Sequence, residues 1–248
     1  MSSRALSYSA ALTPVHPSWH PLMQEAWSQL NPDYLNQLAT NNDWLPGTSK
    51  LLNAFSLPMP SVKVVLFGES PYPRAASANG YAFWDQAITA LWSESGLDKR
   101  VNRATSLRNI LKMLLIADHR LTPKDTSQAA IAALDKSDLV QTGAEFFQNC
   151  LKHGFLLLNA SLVLQDRPPQ KDAREFSPFL STIMAGLLKN RPDITLLLLG
   201  RIANDLSPLL PNTHHNRLAA MHPYNLDFIQ HPEIIEFFRP LRLLVKPD

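Results

Sequence analysis

Four short apolar runs punctuate the chain: Val62 to Phe67, Phe155 to Asn159, Ile194 to Leu199 and Arg217 to Met221. Each is nearly continuous, the pattern of a strand buried on both faces of a parallel sheet. Helical patterns lie between them. Leu107, Ile110, Leu111, Leu114 and Leu115 recur at i, i+3, i+4, i+7 and i+8, with Thr105 or Ser106 placed to cap. Ser177-Pro178 reads as a helix start, followed by an apolar face of Leu180, Ile183, Met184, Leu187 and Leu188. His231-Pro232 opens a last helix carrying Ile234, Ile235, Phe237 and Phe238, and further helical patterns cover Leu22 to Leu30 and Leu139 to Leu151. Alternating strands and helices predict an α/β fold, a three-layer sandwich whose central four-stranded, mostly parallel sheet is flanked by helices. No repeat or composition break divides the chain. The expectation is one domain over residues 1–248, with residues 1–20 a loosely ordered N-terminal arm.

Each strand runs into a polar or proline-containing segment: GESPYPR, NASLVLQDRPP, GRIAND and HPYNLD in turn. In open α/β sheets ligands bind beyond the carboxyl ends of the strands, so these four segments predict the walls of one cleft.

Composition narrows the chemistry. Apolar residues make up 45% and charged residues 18%, which excludes a disordered chain. Cys150 is the only cysteine, which excludes an internal disulfide, a four-thiolate zinc site and a cysteine-held iron–sulphur cluster. The opening MSSRALSYSAALTPVHP lacks the apolar run of a signal peptide, and no segment reaches membrane-spanning length. A cytoplasmic setting, or a nucleoid-associated one if the protein is bacterial, without a membrane, is therefore expected. A net charge of +2 says little about partners, but local charge says more. Lys99, Arg100, Arg103, Arg108 and Lys112 cluster, and Arg167, Lys171 and Arg174 form a second group. Both fit either solvated surfaces or binding to phosphate.

NAF at 53–55, VKVVLFGESPYP at 62–73, NGYAF at 79–83, SLRNILKML at 106–114, GFLLLNASL at 154–162, LLLG at 197–200 and MHP at 221–223 succeed one another in a set order. A lone HP or NAS carries no weight; three such motifs at the ends of three strands do. From about Asn53 to the C-terminal helix, the chain resembles the uracil-DNA glycosylase superfamily. The first motif is similar to that family's GQDPYH, the asparagine segment to LLLNxxLTV, and HPYNL to HPSPL.

The resemblance implies an enzyme that rotates a base out of DNA into a pocket before cutting it from its sugar. It implies that Phe83 stacks on the base, that Asn159 reads the pyrimidine edge with a carboxamide that both donates and accepts, and that Tyr72 walls the C5 position. It makes His222 the donor to the base oxygen as the glycosidic bond breaks, and Leu226 the wedge that fills the vacated space. Ser106, Gly200 and the segment around Pro223 take the places of phosphate contacts, with Lys99, Arg100 and Arg103 adding charge beside them. Taken singly, Phe83 reads equally as a core aromatic, Asn159 as a strand-end turn former and His222 as a structural histidine.

Departures from the family pattern matter as much. Ser70 stands where the family has its water-positioning Asp, and Glu69 where Gln is usual. Pro73 and Asn79 each replace a His, while Tyr224 and Arg201 each replace a Ser. The GE-x-P start and QDRPPQKDA are similar to the iron–sulphur branch, whose cysteines this chain lacks. These readings predict a monofunctional, monomeric glycosylase without a cofactor or metal, with Asn159, His222, Ser70 and Glu69 as catalytic candidates. Its substrate is expected to be uracil or a modified pyrimidine in single- or double-stranded DNA, such as a bulky phage-type base that would make the protein a defence enzyme. The alternative is a catalytically weak DNA-binding or processivity subunit, which Ser70 motivates and Asn159 with His222 opposes.

Overall fold

The computed structural model describes residues 6, 8–41, 43–189, 191–201, 206–210 and 216–247. Strands β1 (Val64–Gly68), β4 (Phe155–Asn159), β5 (Thr195–Leu199) and β6 (Arg217–Ala220) form one parallel sheet in the order β4-β1-β5-β6. The four expected runs are the four strands, each within two residues at either end. β2 (Trp92–Ser93) and β3 (Gly96–Leu97) make a separate small hairpin.

Strand side chains alternate between two helical layers because successive residues point to opposite faces. Val65, Phe67, Leu156, Leu158, Leu196 and Leu198 face α2 (His20–Trp27), α3 (Pro32–Thr40) and α8 (Pro169–Leu188). Val64, Leu66, Phe155, Leu157, Leu197 and Leu199 face α5 (Thr105–Ala117), α7 (Gly143–Lys152) and α9 (Pro232–Phe238). β1 and β4 are buried along their whole length, so the near-continuous apolar runs mark a sheet covered on both sides.

Three sequence expectations need correction. Neither Thr105 nor Ser106 caps α5. The short helix α4 (Lys99–Arg103) runs into it, and Ala104 takes the N-cap position with its own N–H already bonded to Arg100 and Val101. Ser177-Pro178 is not a helix start. α8 begins at Pro169, whose missing N–H costs nothing in a first turn, and Pro178 lies exposed inside the helix. Nor is the N-terminal stretch loose in its described part. α1 (Tyr8–Ala11) leads into Val15 and Trp19, and Ala11, Val15 and Trp19 are buried in the α2–α8 layer, where Trp19 donates its indole N–H to the Leu57 carbonyl at 2.7 Å.

One buried polar network fixes the start of α8. Asp172 is fully buried and accepts from Tyr34 Oη at 2.8 Å, from Gln165 Nε2 at 2.7 Å and from the Arg167 guanidinium. The same guanidinium lies over the Tyr34 ring, 5.6 Å from its centre. Arg167 is thus half-buried and tied to a buried charge partner, and does not belong with the free surface cations expected beside Lys171 and Arg174. Among the described residues, no helix is long and apolar enough to cross a membrane.

Candidate active site

The segments following β1, β5 and β6 line one cleft of about 760 Å3. Its walls are Phe67 to Glu69, Gln170, Leu199 to Arg201, and Met221, His222, Tyr224 and Asn225. It lies at the carboxyl ends of the strands, where the sheet topology places ligands.

Backbone bonds extend the sheet beyond its last residues. Ala160 N–H donates to the Gly68 carbonyl at 2.8 Å, and Ser161 N–H to the Glu69 carbonyl at 2.9 Å. Asn159, the last residue of β4, lies opposite Gly68 in the register. It is only 2% exposed, and its carboxamide has no hydrogen-bond partner among the described residues. Along the outer edge of β4, Ala82 N–H donates to the Leu157 carbonyl at 3.1 Å and so brings NGYAF beside the strand. That segment is turned by Asn79, whose Oδ1 accepts from Tyr81 N–H, while Asn53 holds the Asn79 carbonyl. It ends at Phe83, which sits at φ 62°, an uncommon conformation for a bulky residue. Tyr72 donates its hydroxyl to the Phe83 carbonyl at 3.1 Å, tying the GESPYP loop to this strained corner. Burial pushes the Tyr72 phenol well above its ordinary range, so it remains a neutral donor.

His222 follows β6 in a tight turn. Asn225 N–H donates to the His222 carbonyl at 2.8 Å, with Pro223 in the position a turn favours, and Asn225 then caps the 3-10 turn Leu226–Gln230. The Tyr224 N–H donates to His222 Nδ1 at 3.1 Å. A backbone N–H can only donate, so Nδ1 accepts and the neutral ring carries its proton on Nε2. Although His222 remains open to solvent at the cleft, the surrounding protein lowers its pKa, and the nearby Glu69 carboxylate partly opposes that shift. The rings of Phe83 and His222 face each other with centroids 6.1 Å apart and planes 30° apart. Gly200, at φ 70°, permits the approach of this loop: a Cβ there would stand 2.6 Å from His222 Cβ.

The other candidate residues divide into two groups. Arg201 and Tyr224 line the cleft with Glu69 and His222. Met221, Tyr224 and Leu226, which are 40%, 71% and 62% exposed, are the large apolar side chains left open to solvent among the described residues, and all three belong to the His222 loop. Asn159, Tyr72 and Phe83 are not among the residues of the cleft wall; Phe83 lies instead against an apolar hollow with Phe146 and Phe147. Ser70, Ser106, Lys99, Arg100 and Arg103 also lie outside the wall. Ser70 Oγ makes only a long 3.5 Å contact with its neighbour's carbonyl. Ser106 is half-buried in the first turn of α5. Lys99, Arg100 and Arg103 are exposed on α4, with Arg100 bonded to the Ala87 carbonyl at 2.9 Å.

Two residues that sequence reasoning passed over belong to the arrangement. Asn109, buried inside α5, donates to the Pro223 carbonyl at 2.6 Å and so anchors the His222 loop. An asparagine in an otherwise apolar helix face was the available signal. Gln170 Nε2 donates to Glu69 Oε1 at 3.1 Å, and nothing in the local sequence announces that pairing. Among the described residues, no group of three or more His, Cys, Asp or Glu side chains could hold a metal ion.

Known proteins share this outline. The family model described as Uracil DNA glycosylase superfamily matches residues 55–245. The crystal structure of wild-type UNG from Nitratifractor salsuginis is 38% identical, with a TM-score of 0.89 over 96% of this chain and 97% of that one. A uracil-DNA glycosylase of Streptococcus mutans is 25% identical over 84% of this chain and 83% of its own length. The mimivirus uracil-DNA glycosylase, 17% identical, shares the fold with a TM-score of 0.61 over 86% of this chain and 71% of that one.

Proposed function

The chain belongs to the uracil DNA glycosylase superfamily and is a DNA N-glycosylase; from that premise we propose that it flips uracil out of DNA and hydrolyses its N-glycosidic bond, leaving an abasic site. The observation that carries this reading is Asn159. Asn159 is buried at the carboxyl end of β4, beside the NGYAF segment that ends at Phe83, and a carboxamide without a partner among the described residues is available there to the edge of a base. Its donor and acceptor match the N3–H and O4 edge of uracil. Tyr72, pinned to the Phe83 carbonyl, supports a pyrimidine without a C5 substituent over a bulky modified base.

The chemistry follows from charge. The bond between C1′ and the base nitrogen breaks with its electron pair leaving on the base, and His222 Nε2–H stabilises the developing oxyanion. The sugar is left with positive charge. Glu69, in the cleft wall beside His222, offsets that charge and orients the water whose hydroxyl joins C1′; the water's other proton goes to the carboxylate and then to solvent. Exposed Leu226, with Tyr224 and Met221, fills the gap left in the base stack. The retained Asn159 and His222 weigh against a subunit that only binds DNA, since binding alone leaves them without a task.

The test is strand cleavage after alkali on oligonucleotides carrying uracil, thymine, cytosine or 5-hydroxymethylcytosine at one position. Rapid release of uracil alone is expected, and Asn159→Asp should transfer part of the activity to cytosine. A wild type that spares uracil and releases a substituted base would reverse the assignment.

A further inference from the structure

Glu69 is an exposed side chain at the boundary of two spaces. On one side is the cleft. On the other, a second hollow of about 250 Å3 is lined by Glu69 and Gln170 together with Ala160, Ala173, Arg174 and Ser177. His222 and Arg201 share the cleft with the carboxylate, and Arg174 shares the hollow. A glutamate with several rotatable bonds between two aqueous spaces and cations on both sides has no intrinsic reason to stay on the catalytic side. The restraint is the hydrogen bond from Gln170 Nε2 at 3.1 Å.

Gln170 is well placed to impose it. It occupies the first turn of α8, after the stiff pair Pro168-Pro169, and two residues before the fully buried Asp172 that joins α8 to Tyr34, Gln165 and Arg167. Its backbone is therefore fixed relative to α3 and to the segment at 165–167 that leads from β4 into α8. The Glu69 backbone is fixed to the carboxyl end of β4 through Ser161 N–H. A donor and an acceptor on two independently anchored backbones form a preorganised pair, the condition under which a carboxylate stabilises developing charge most effectively.

We infer that Gln170 is a positioning residue for the glycosylase reaction: it holds the Glu69 carboxylate at the cleft that His222 also lines, and away from the hollow that contains Arg174. This rests on the role of Glu69 proposed above.

The experiment measures maximal single-turnover uracil release and DNA affinity for Gln170→Leu and Gln170→Glu, each alone and combined with Glu69→Gln. Gln170→Leu should slow release roughly tenfold, the scale of one hydrogen bond to a charged group, with DNA affinity unchanged. Gln170→Glu should slow it further, although it is the closer isostere, because it sets a like charge beside Glu69. In the Glu69→Gln background both substitutions should lose most of their effect. A fast Gln170→Glu beside a slow Gln170→Leu would mean that Gln170 only packs, and full additivity with Glu69→Gln would overturn the inference as well. If Gln170→Leu folds poorly, the Gln170→Glu arm of the cycle decides. Unimpaired release by Glu69→Gln alone would overturn the reading of Glu69, and this inference with it; a slow Glu69→Gln beside unimpaired Gln170 variants would overturn this inference only.

Discussion

Gly68 and Asn159 face one another across β1 and β4, and a methyl group on Gly68 would stand 2.5 Å from Asn159 Oδ1 and 2.9 Å from the Ala82 methyl. The glycine therefore makes room for the carboxamide, since its own backbone needs no left-handed conformation. Gly68→Ala should push the Asn159 side chain aside and force the buried Ala82 segment to shift, overpacking that costs about 1 to 3 kcal/mol of stability. A displacement near 1 Å at a reacting site costs on the order of 100-fold, so release of uracil by the folded variant should fall by about that much. Undiminished release in single-turnover assays would mean that Asn159 is not held by this contact.

His222 should impose an acid limb on the reaction. Its pKa is lowered by the surrounding protein, so the imidazole is neutral around pH 7 and charges only below the ordinary imidazole value of about 6.5. On protonation Nδ1 becomes a donor that confronts the Tyr224 N–H, and the turn loses its bond. Uracil release should therefore hold constant near neutrality and fall as pH drops below that value. Glu69→Gln removes the charge that pulls the pKa upward, so the His222 limb should move to still lower pH. His222→Ala should cost about 3 kcal/mol of activation free energy, as for an oxyanion donor, and abolish this limb. A limb that persists unchanged in His222→Ala belongs to another group.

Asp172 should be a stability residue. It is fully buried and is held by Tyr34, Gln165 and Arg167. Asp172→Ala removes the buried acceptor shared by Tyr34, Gln165 and Arg167, but the part-exposed Arg167 guanidinium can turn to water, so a loss of about 2 to 3 kcal/mol is expected. Tyr34→Phe removes one hydrogen bond and leaves the ion pair, so about 1 kcal/mol is expected. Denaturant melts of both variants test the ranking. Equal losses would show that the pair contributes no more than the phenol.

The sheet and the walls of the cleft were legible in the sequence because buried parallel strands write continuous apolar runs and the cleft follows their carboxyl ends. Asn159, His222 and Phe83 were picked out by resemblance to the motifs of the uracil-DNA glycosylase superfamily, not by periodicity; taken singly, each also reads as an ordinary structural residue. Long-range polar pairings were not legible. Gln170 meets Glu69, Asn109 meets Pro223 and Tyr34 meets Asp172 across about a hundred residues or more, and no local periodicity encodes such a bond. Arg167 was grouped with surface cations because sequence spacing does not reveal a buried partner. The start of α8 was displaced because Pro169 and Pro178 offer the same local signal, and only packing of the earlier turn distinguishes them.

Lys99, Arg100 and Arg103 should act on DNA affinity alone. They are exposed on α4 outside the cleft, and α4 leads into the helix whose Asn109 anchors the His222 loop. Replacing all three with Ala should flatten the plot of log K against log salt by roughly 0.9 for each duplex phosphate that is no longer neutralised. Release at saturating enzyme should be unaltered. An unchanged slope would assign the cluster to the solvated surface.

Ser70 and Glu69 compete for the part left open by the missing aspartate, and the geometry favours Glu69. Ser70 is half-buried and carries no charge, its hydroxyl making only a long contact with its neighbour's carbonyl, whereas the Glu69 carboxylate lines the cleft and opposes the lowering of the His222 pKa. A unit charge about 4 Å from a developing cation contributes roughly 4 kcal/mol at an effective dielectric constant near 20. Glu69→Gln gives up the charge while keeping a polar group of the same size, so it should slow release by at least roughly 100-fold. Ser70→Asp adds a carboxylate beside an existing one but on a side chain that does not line the cleft, so in the wild-type background it should bring no gain. The double variant is the decisive measurement. If Glu69 carries the charge from its own direction, Ser70→Asp does not restore Glu69→Gln. Full restoration would mean that position 70 reaches the same point in space, and that Glu69 acts through total charge at the cleft rather than through the orientation that Gln170 imposes.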